Sequence, residues 1–199
     1  MTLRVVTQPS FEPISLSDAR TWCRIPDGFT DDDSLIENVL IPAMRERAED
    51  ITRRAFCQQT LELTLPCFSP CIELPRPPLI QVESVKYVDA DGDVQTVDPD
   101  IYQIDSYREP ALIAPAYQQV WPAIVRGEFN AVRIRYTAGY LLAGSPRDGT
   151  LPAKALAWMR IRIASLYEHR ESLVIGNIVA NLPRDHVDGL LDSLCVDVF

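Results

Sequence analysis

The chain has 199 residues, 47% hydrophobic content and a formal net charge of −9. That length buries a core without disulfide or metal staples, and it allows one domain or one domain with a large insertion. Segments 1–59, 60–140 and 141–199 carry net charges of −3, −5 and −1; with no basic part there is no clustered cation surface for phosphates, which argues against sequence-specific nucleic-acid binding.

The five cysteines, Cys23, Cys57, Cys67, Cys71 and Cys195, are odd in number and irregular in spacing. The opening MTLRVVTQPSFEP lacks an apolar signal core, and no run is long and apolar enough for a transmembrane helix. These features predict a cytosolic chain with reduced, buried thiols and no membrane contact.

In chain order, residues 1–14 read as extended, broken by Pro9 and Pro13. Ser15-Leu16-Ser17-Asp18 resembles a capping box that opens a short helix to about Arg24. Pro26-Asp27-Gly28 is a turn. Asp31, Asp32 and Asp33 then sit where a helix macrodipole favours acids, so capping is preferred to metal binding. The helix that follows runs from about Asp32 to Phe56, with Ile36, Leu40, Met44, Ala48, Ile51 and Ala55 as its apolar stripe. Pro42 falls inside it and predicts a kink near Asn38–Ile41 or two abutting helices. Glu37, Arg45, Glu46, Glu49, Arg53 and Arg54 form the expected exposed face, either solvated or in contact with a subunit.

At Thr60 the period changes to two. Leu61, Leu63 and Leu65 alternate with polar residues, as in a half-buried strand ended by Pro66. Ile72-Glu73-Leu74 is a short second strand, and Pro75-Arg76-Pro77-Pro78 is a rigid connector. Ile80–Val88 and Val94–Val97 form a hairpin around Asp89–Asp93, and Ile101–Ile104 continues the sheet. Residues 108–128 read as irregular. Ala131–Tyr136 is the last strand, with Val132, Ile134 and Tyr136 on one face and Arg133 and Arg135 on the other. A glycine-rich loop leads to the stretch Leu151–Ser172, where Leu156, Met159, Ile163, Leu166 and Tyr167 share a helical face while Trp158, Ile161 and Ala164 lie off it. A helix apolar over so much of its circumference is buried on more than one side: either it is the centre of a helical core, or it packs against both its own chain and a neighbouring copy. Leu182-Pro183-Arg184-Asp185 can start a last short helix carrying Val187, Leu190, Leu191 and Leu194, which docks on its own domain or on a partner.

The fold class expected is α+β. A helical bundle (short helix, long kinked helix, C-terminal long helix) carries an inserted antiparallel β domain. Residues 1–59 form the N-terminal helical part, 60–140 the β domain, 141–172 the loop and helix that complete the bundle, and 173–199 a C-terminal docking tail.

No phosphate loop, HExxH or nucleophile elbow is present. Of the two histidines, His169 sits at a helix end where a cation suits the dipole, and nothing marks His186. Cys67-x3-Cys71 has no matching second pair for a metal site. Asp89, Asp91 and Asp93 resemble part of a calcium loop, but the closing Glu is absent, and a hairpin turn is the better reading. No catalytic, cofactor or metal residue is assigned, and the chain is expected not to be an enzyme.

Several stretches together resemble the head-to-tail adaptor (connector) proteins of long-tailed phages and related gene-transfer particles. They are Ser15–Arg20 with the Asp31–Ile36 helix start, and Glu73–Leu79 leading into Val82, Val85, Tyr87, Asp89 and Gly92. Val132–Tyr140 and the helix from Pro152 to Glu171 complete the set. The resemblance spans about residues 15–172; Pro42 departs from it and the tail matches least. It implies a structural protein assembled in the bacterial cytoplasm as a ring of about twelve copies in the neck of a virion or phage-like particle, each copy meeting two neighbours. The implied partners are the portal protein, a tail-side neck or stopper protein, and DNA that passes through the channel without specific binding. In related adaptors a C-terminal segment often engages the portal, which points to Leu182, Val187, Leu190, Leu191 and Leu194. Arg45, Glu49, Arg53, Trp158, Ile161 and Arg162 are the expected inter-subunit residues.

The alternative is a binding module, in which 60–140 is a β-sandwich recognising a carbohydrate or protein surface through Tyr102, Tyr107, Tyr117 and Trp121. Such aromatics are more often core or loop anchors.

Overall fold

The computed structural model describes residues 1–125, 127–140, 151–169 and 184–196, with the side chains of 184–186 left out. The protein is α+β, with helices and antiparallel sheets. It divides into a β unit, 1–10 with 57–140, and a helical unit, 11–56 with the described residues from Leu151 onward.

In the β unit, a sheet runs in the order β1 (Thr2–Thr7), β2 (Gln59–Leu65), β8 (Val132–Ala138), β4 (Leu79–Val88) and β5 (Val94–Thr96). The predicted alternation holds on the central β8, where Val132, Ile134 and Tyr136 are buried; on β2 Leu61 and Leu63 are buried, but Glu62 is buried between them and Leu65 is only half-buried. Tyr136 donates its hydroxyl proton to the Pro75 carbonyl at 2.7 Å, so the one polar atom on that buried ring is satisfied. Glu62, between the buried leucines, accepts from Arg135 at 2.9 Å and pairs with Arg4 of the neighbouring strand. The Asp89–Asp93 turn closes as a hairpin, with the Asp89 carboxylate accepting the backbone N–H groups of Asp91 and Asp93.

Three readings of this region are corrected. The extended N terminus is a paired strand of the β unit, not part of the helical segment. The strand near Ile101–Ile104, found as β6 (Tyr102–Asp105), does not continue the first sheet. It belongs to a second one, ordered β3 (Ile72–Leu74), β7 (Ala111–Pro115), β6. And β7 lies inside the stretch read as irregular, because Pro110 and Pro115 bracket it and hide a run of only a few residues.

In the helical unit, Ser15 caps α1 (Leu16–Trp22) by accepting the Asp18 N–H at 3.2 Å. The acids at the next helix start do more than cap. Asp33 pairs with Arg20 of α1, and Asp32 accepts the Tyr167 hydroxyl at 2.7 Å. The predicted disturbance near Asn38–Ile41 is a widened turn. After the short α2 (Asp33–Leu35), residues Ile36–Leu40 form a π-helical segment in which Ile41 N–H bonds to Ile36 O, and α3 (Ile41–Thr52) follows. Pro42 sits at the first turn of α3, where it has no N–H to place.

That extra residue rotates the rest of the helix. The buried face is Ile36, Ile41, Arg45, Ala48, Glu49 and Thr52, displaced by one position from the predicted Leu40 and Met44. The helix also ends at Thr52 rather than Phe56, because Arg53 adopts a left-handed conformation (φ 57°, ψ 31°). Helix α4 (Ala153–Glu168) is the centre of this unit. It packs against α1, the π segment, α3 and α5 (Arg184–Asp192), and buries Ala155, Trp158, Met159 and Ile163. Its breadth of apolar surface is therefore absorbed largely within one protomer, leaving Leu166 exposed.

Candidate interaction surfaces

Two of the residues expected between subunits lie in the interior of the helical unit. Arg45 is 4% exposed and Glu49 2%. Arg45 Nη1 donates to Glu49 Oε2 at 3.0 Å, and its Nε donates to Glu12 Oε2 at 2.9 Å. Glu49 Oε1 accepts the Phe56 N–H at 2.7 Å. A buried guanidinium is stable only when its donors are met by anions, and this cluster meets them. Burial pushes the Glu12 carboxyl above its ordinary range, against the pull of Arg45. The expectation of an exposed helix face is corrected at both residues: the π segment turned them inward.

Trp158, also expected between subunits, is buried. Its indole N–H donates to Asp188 of α5 at 3.0 Å, and Arg162 binds the same carboxylate at 2.5 Å. The Arg162 guanidinium lies over the Trp158 ring, 5.7 Å from its centroid. Arg53 is exposed and Ile161 half-buried.

The C-terminal helix docks on its own unit. Val187, Leu191, Leu194 and Val196 are buried there, and Leu190 is half-buried. Val196 N–H bonds to Thr52 O at 3.0 Å, and Arg54 Nε donates to Leu194 O at 2.6 Å, so the segment is stitched to the end of α3. The apolar set read as a portal contact is thus mostly protomer core, because its leucines complete the α3–α4 cleft. Leu182 lies outside the described residues.

A groove of about 370 Å³ remains between α3, α4 and α5. Met44, Ile51 and Leu166 give it apolar walls, and Arg47 and Arg162 give it positive charge. In the β unit, a shallower cleft of about 630 Å³ runs along Phe68, Trp121 and Ile124. There Trp121 stacks on Phe68 with centroids 4.6 Å apart, lies 6.4 Å from Tyr102, and donates its N–H to Ser69 O at 2.8 Å. Trp121 and Tyr102 are therefore anchors of the β unit, whereas Tyr107 and Tyr117 are fully exposed or nearly so.

The cysteines divide. Cys23 and Cys57 are buried as expected, but Cys67, Cys71 and Cys195 are exposed thiols. His169 follows the end of α4, with its N–H bonded to Ser165 O at 3.0 Å; the His186 side chain lies outside the described residues. Among the described residues, no helix is long and apolar enough to cross a membrane.

No protein-family model matches the chain, and no curated protein matches it. Solved structures do. A chain in the neck of an empty gene transfer agent (GTA) particle computed with C6 symmetry superposes with a TM-score of 0.77 at 23% identity, over 100% of this chain and 98% of that one. This protein has the fold of a GTA neck chain. A chain of the virion of a native GTA particle gives 0.76 at 23% identity, with the same coverage. A chain in the neck of a native GTA particle computed with C12 symmetry gives 0.66 at 22% identity, again over 100% of this chain and 98% of that one.

Proposed function

We propose that this chain is a structural component of the neck of a phage-like particle, a head-to-tail adaptor that forms a ring of about twelve copies between portal and tail. The observation that carries this reading is fold likeness along the whole chain to neck chains, found in assemblies computed with C6 and C12 symmetry. In this reading the protein is a helical bundle with a β insertion, placed in the virion neck. Its partners are its own copies, the portal protein above and a tail-side neck or stopper protein below. The role needs no cofactor and no catalytic residue. A chain of net charge −9 suits a channel through which DNA slides without sticking.

The burial of Arg45, Glu49, Trp158, Val187, Leu191 and Leu194 narrows the proposed contacts. Arg53, Ile161 and Arg162 are left for neighbouring copies, and Leu190 and Leu182 for the portal. The reading is tested by producing particles without this chain. DNA-filled heads that carry no tails are expected; normally tailed particles would contradict it.

The exposure of Tyr107 and Tyr117 favours a second reading, in which the β unit recognises a carbohydrate or protein surface. Glycan affinity of the monomer, lost in Tyr107→Ala and Tyr117→Ala, would support it.

A further inference from the structure

The groove between α3, α4 and α5 contains an unmet donor. Arg162 Nε is buried and has no hydrogen-bond partner among the described residues, although the other end of the guanidinium holds Asp188. Native structures rarely leave such a group unpaired, so a further acceptor is called for at this groove. Arg47, on the groove's rim, is exposed and has no ion-pair partner among the described residues. The groove therefore offers two guanidinium groups beside the apolar side chains of Met44, Ile51 and Leu166. Its chemistry fits a carboxylate presented next to a large apolar residue.

The same helical unit displays such a segment. Between α1 and α2, Asp27-Gly28-Phe29-Thr30-Asp31 projects as a turn, with Phe29 N–H bonded to Pro26 O at 3.3 Å and Gly28 at φ +87°. Phe29 is 42% exposed, an unusual state for a phenylalanine flanked by two exposed acids. Neither Asp27 nor Asp31 has an ion-pair partner among the described residues.

Groove and turn lie on opposite sides of α4. Arg160 binds Asp18 of α1 at 2.6 Å and Tyr167 binds Asp32, whereas Trp158 and Arg162 bind Asp188 of α5. Arg160 and Arg162 are roughly 160° apart around the helix. A protomer with complementary surfaces on opposite flanks cannot satisfy itself, but it can satisfy a neighbour head to tail, and such heterologous contacts close into rings.

We propose that the Asp27–Asp31 turn of one copy inserts Phe29 into the Arg47–Arg162 groove of the next, with Asp27 or Asp31 meeting the exposed Arg47 guanidinium and the open edge of Arg162. This rests on the ring reading given above and names the surfaces that build the ring.

The test uses the full chain with a photoreactive benzoylphenylalanine in place of Phe29. Equal parts of ¹⁴N- and ¹⁵N-labelled protein are mixed, with and without the portal, and irradiated. Expected are cross-links between copies, joining position 29 to residues 44–51 or 158–166. Arg47→Glu, a change on an exposed and unpaired side chain, is expected to weaken self-association about tenfold or more, and Asp31→Arg in the same chain to restore part of it. Unchanged near-ultraviolet circular dichroism establishes that the variants fold. Rings whose cross-links from position 29 fall elsewhere overturn this interface and leave the ring reading standing. Absence of any association in either condition overturns both.

Discussion

Glu49 divides its two carboxylate oxygens between Arg45, one turn back on the same helix, and the Phe56 N–H, just beyond the helix end. The pair Arg45–Glu49 thereby fixes where α3 stops. Arg53 turns the chain through a left-handed residue, and Phe56 returns to the buried carboxylate.

Removing Glu49 leaves a buried guanidinium and a buried N–H short of their acceptor. Glu49→Ala is expected to destabilise the protein by about 3–5 kcal/mol. Glu49→Gln keeps an acceptor for Phe56 and is expected to lose less. Urea unfolding followed by circular dichroism measures both; equal losses would show that the Phe56 bond carries nothing.

Two carboxylates respond to pH in opposite directions. At Glu62 burial opposes ionisation, but the hydrogen bonds from Arg135 and Arg4 outweigh it and hold the carboxyl below its ordinary value of 4.5. Its stabilisation is present above that value and is lost as pH falls through the depressed one. At Glu12 burial wins and the folded value is raised. Its contribution is greatest below 4.5 and is lost as pH rises through the raised value. Glu62→Gln is therefore expected to flatten part of the acid limb of the stability profile below about pH 4.5, where Glu12→Gln does not. Denaturant midpoints measured from pH 3 to 7 check the two signs.

Much of this was legible from residue pattern. The Ser15 cap, the Asp89–Asp93 hairpin and the two faces of β8 follow from short-range rules that tertiary packing does not override. The Pro42 disturbance was legible as a place but not as a kind. A π turn adds one residue to the helical count, and that moved Arg45 and Glu49 from the apparent outer face to the interior. Buried charges have no periodic signature of their own, so Glu12, which completes the cluster from 33 residues away, was not legible at all. The tail is a different case. The apolar spacing of Val187, Leu191 and Leu194 was visible, but a sequence does not say whether such a face meets its own chain or another.

Since Leu191 is fully buried on the inner face of α5, Leu191→Ala is expected to cost about 2–5 kcal/mol and to free the C-terminal segment. Hydrogen exchange would report it as lost protection at Leu194 and Val196, whose N–H groups bond to Leu191 O and Thr52 O. Retained protection would mean that the helix is held mainly by Asp188 and its partners Trp158 and Arg162.

Gly139 ends β8 at φ +127°, and a Cβ there would stand 2.3 Å from the Cys57 carbonyl oxygen. The contact is with backbone and has no side chain to move aside. Gly139→Ala is expected to lose at least about 2 kcal/mol and to open the Cys57–Tyr140 bridge. Thermal unfolding of the variant checks this, and an unchanged midpoint would contradict the close approach.

The proposed role requires that this chain build a ring in a particle neck. Negative-stain imaging and native mass of the purified protein mixed with its portal test it most directly. A ring of about twelve copies seated on the portal, formed beforehand or only upon it, is expected. A protein that stays monomeric and ignores the portal would contradict it.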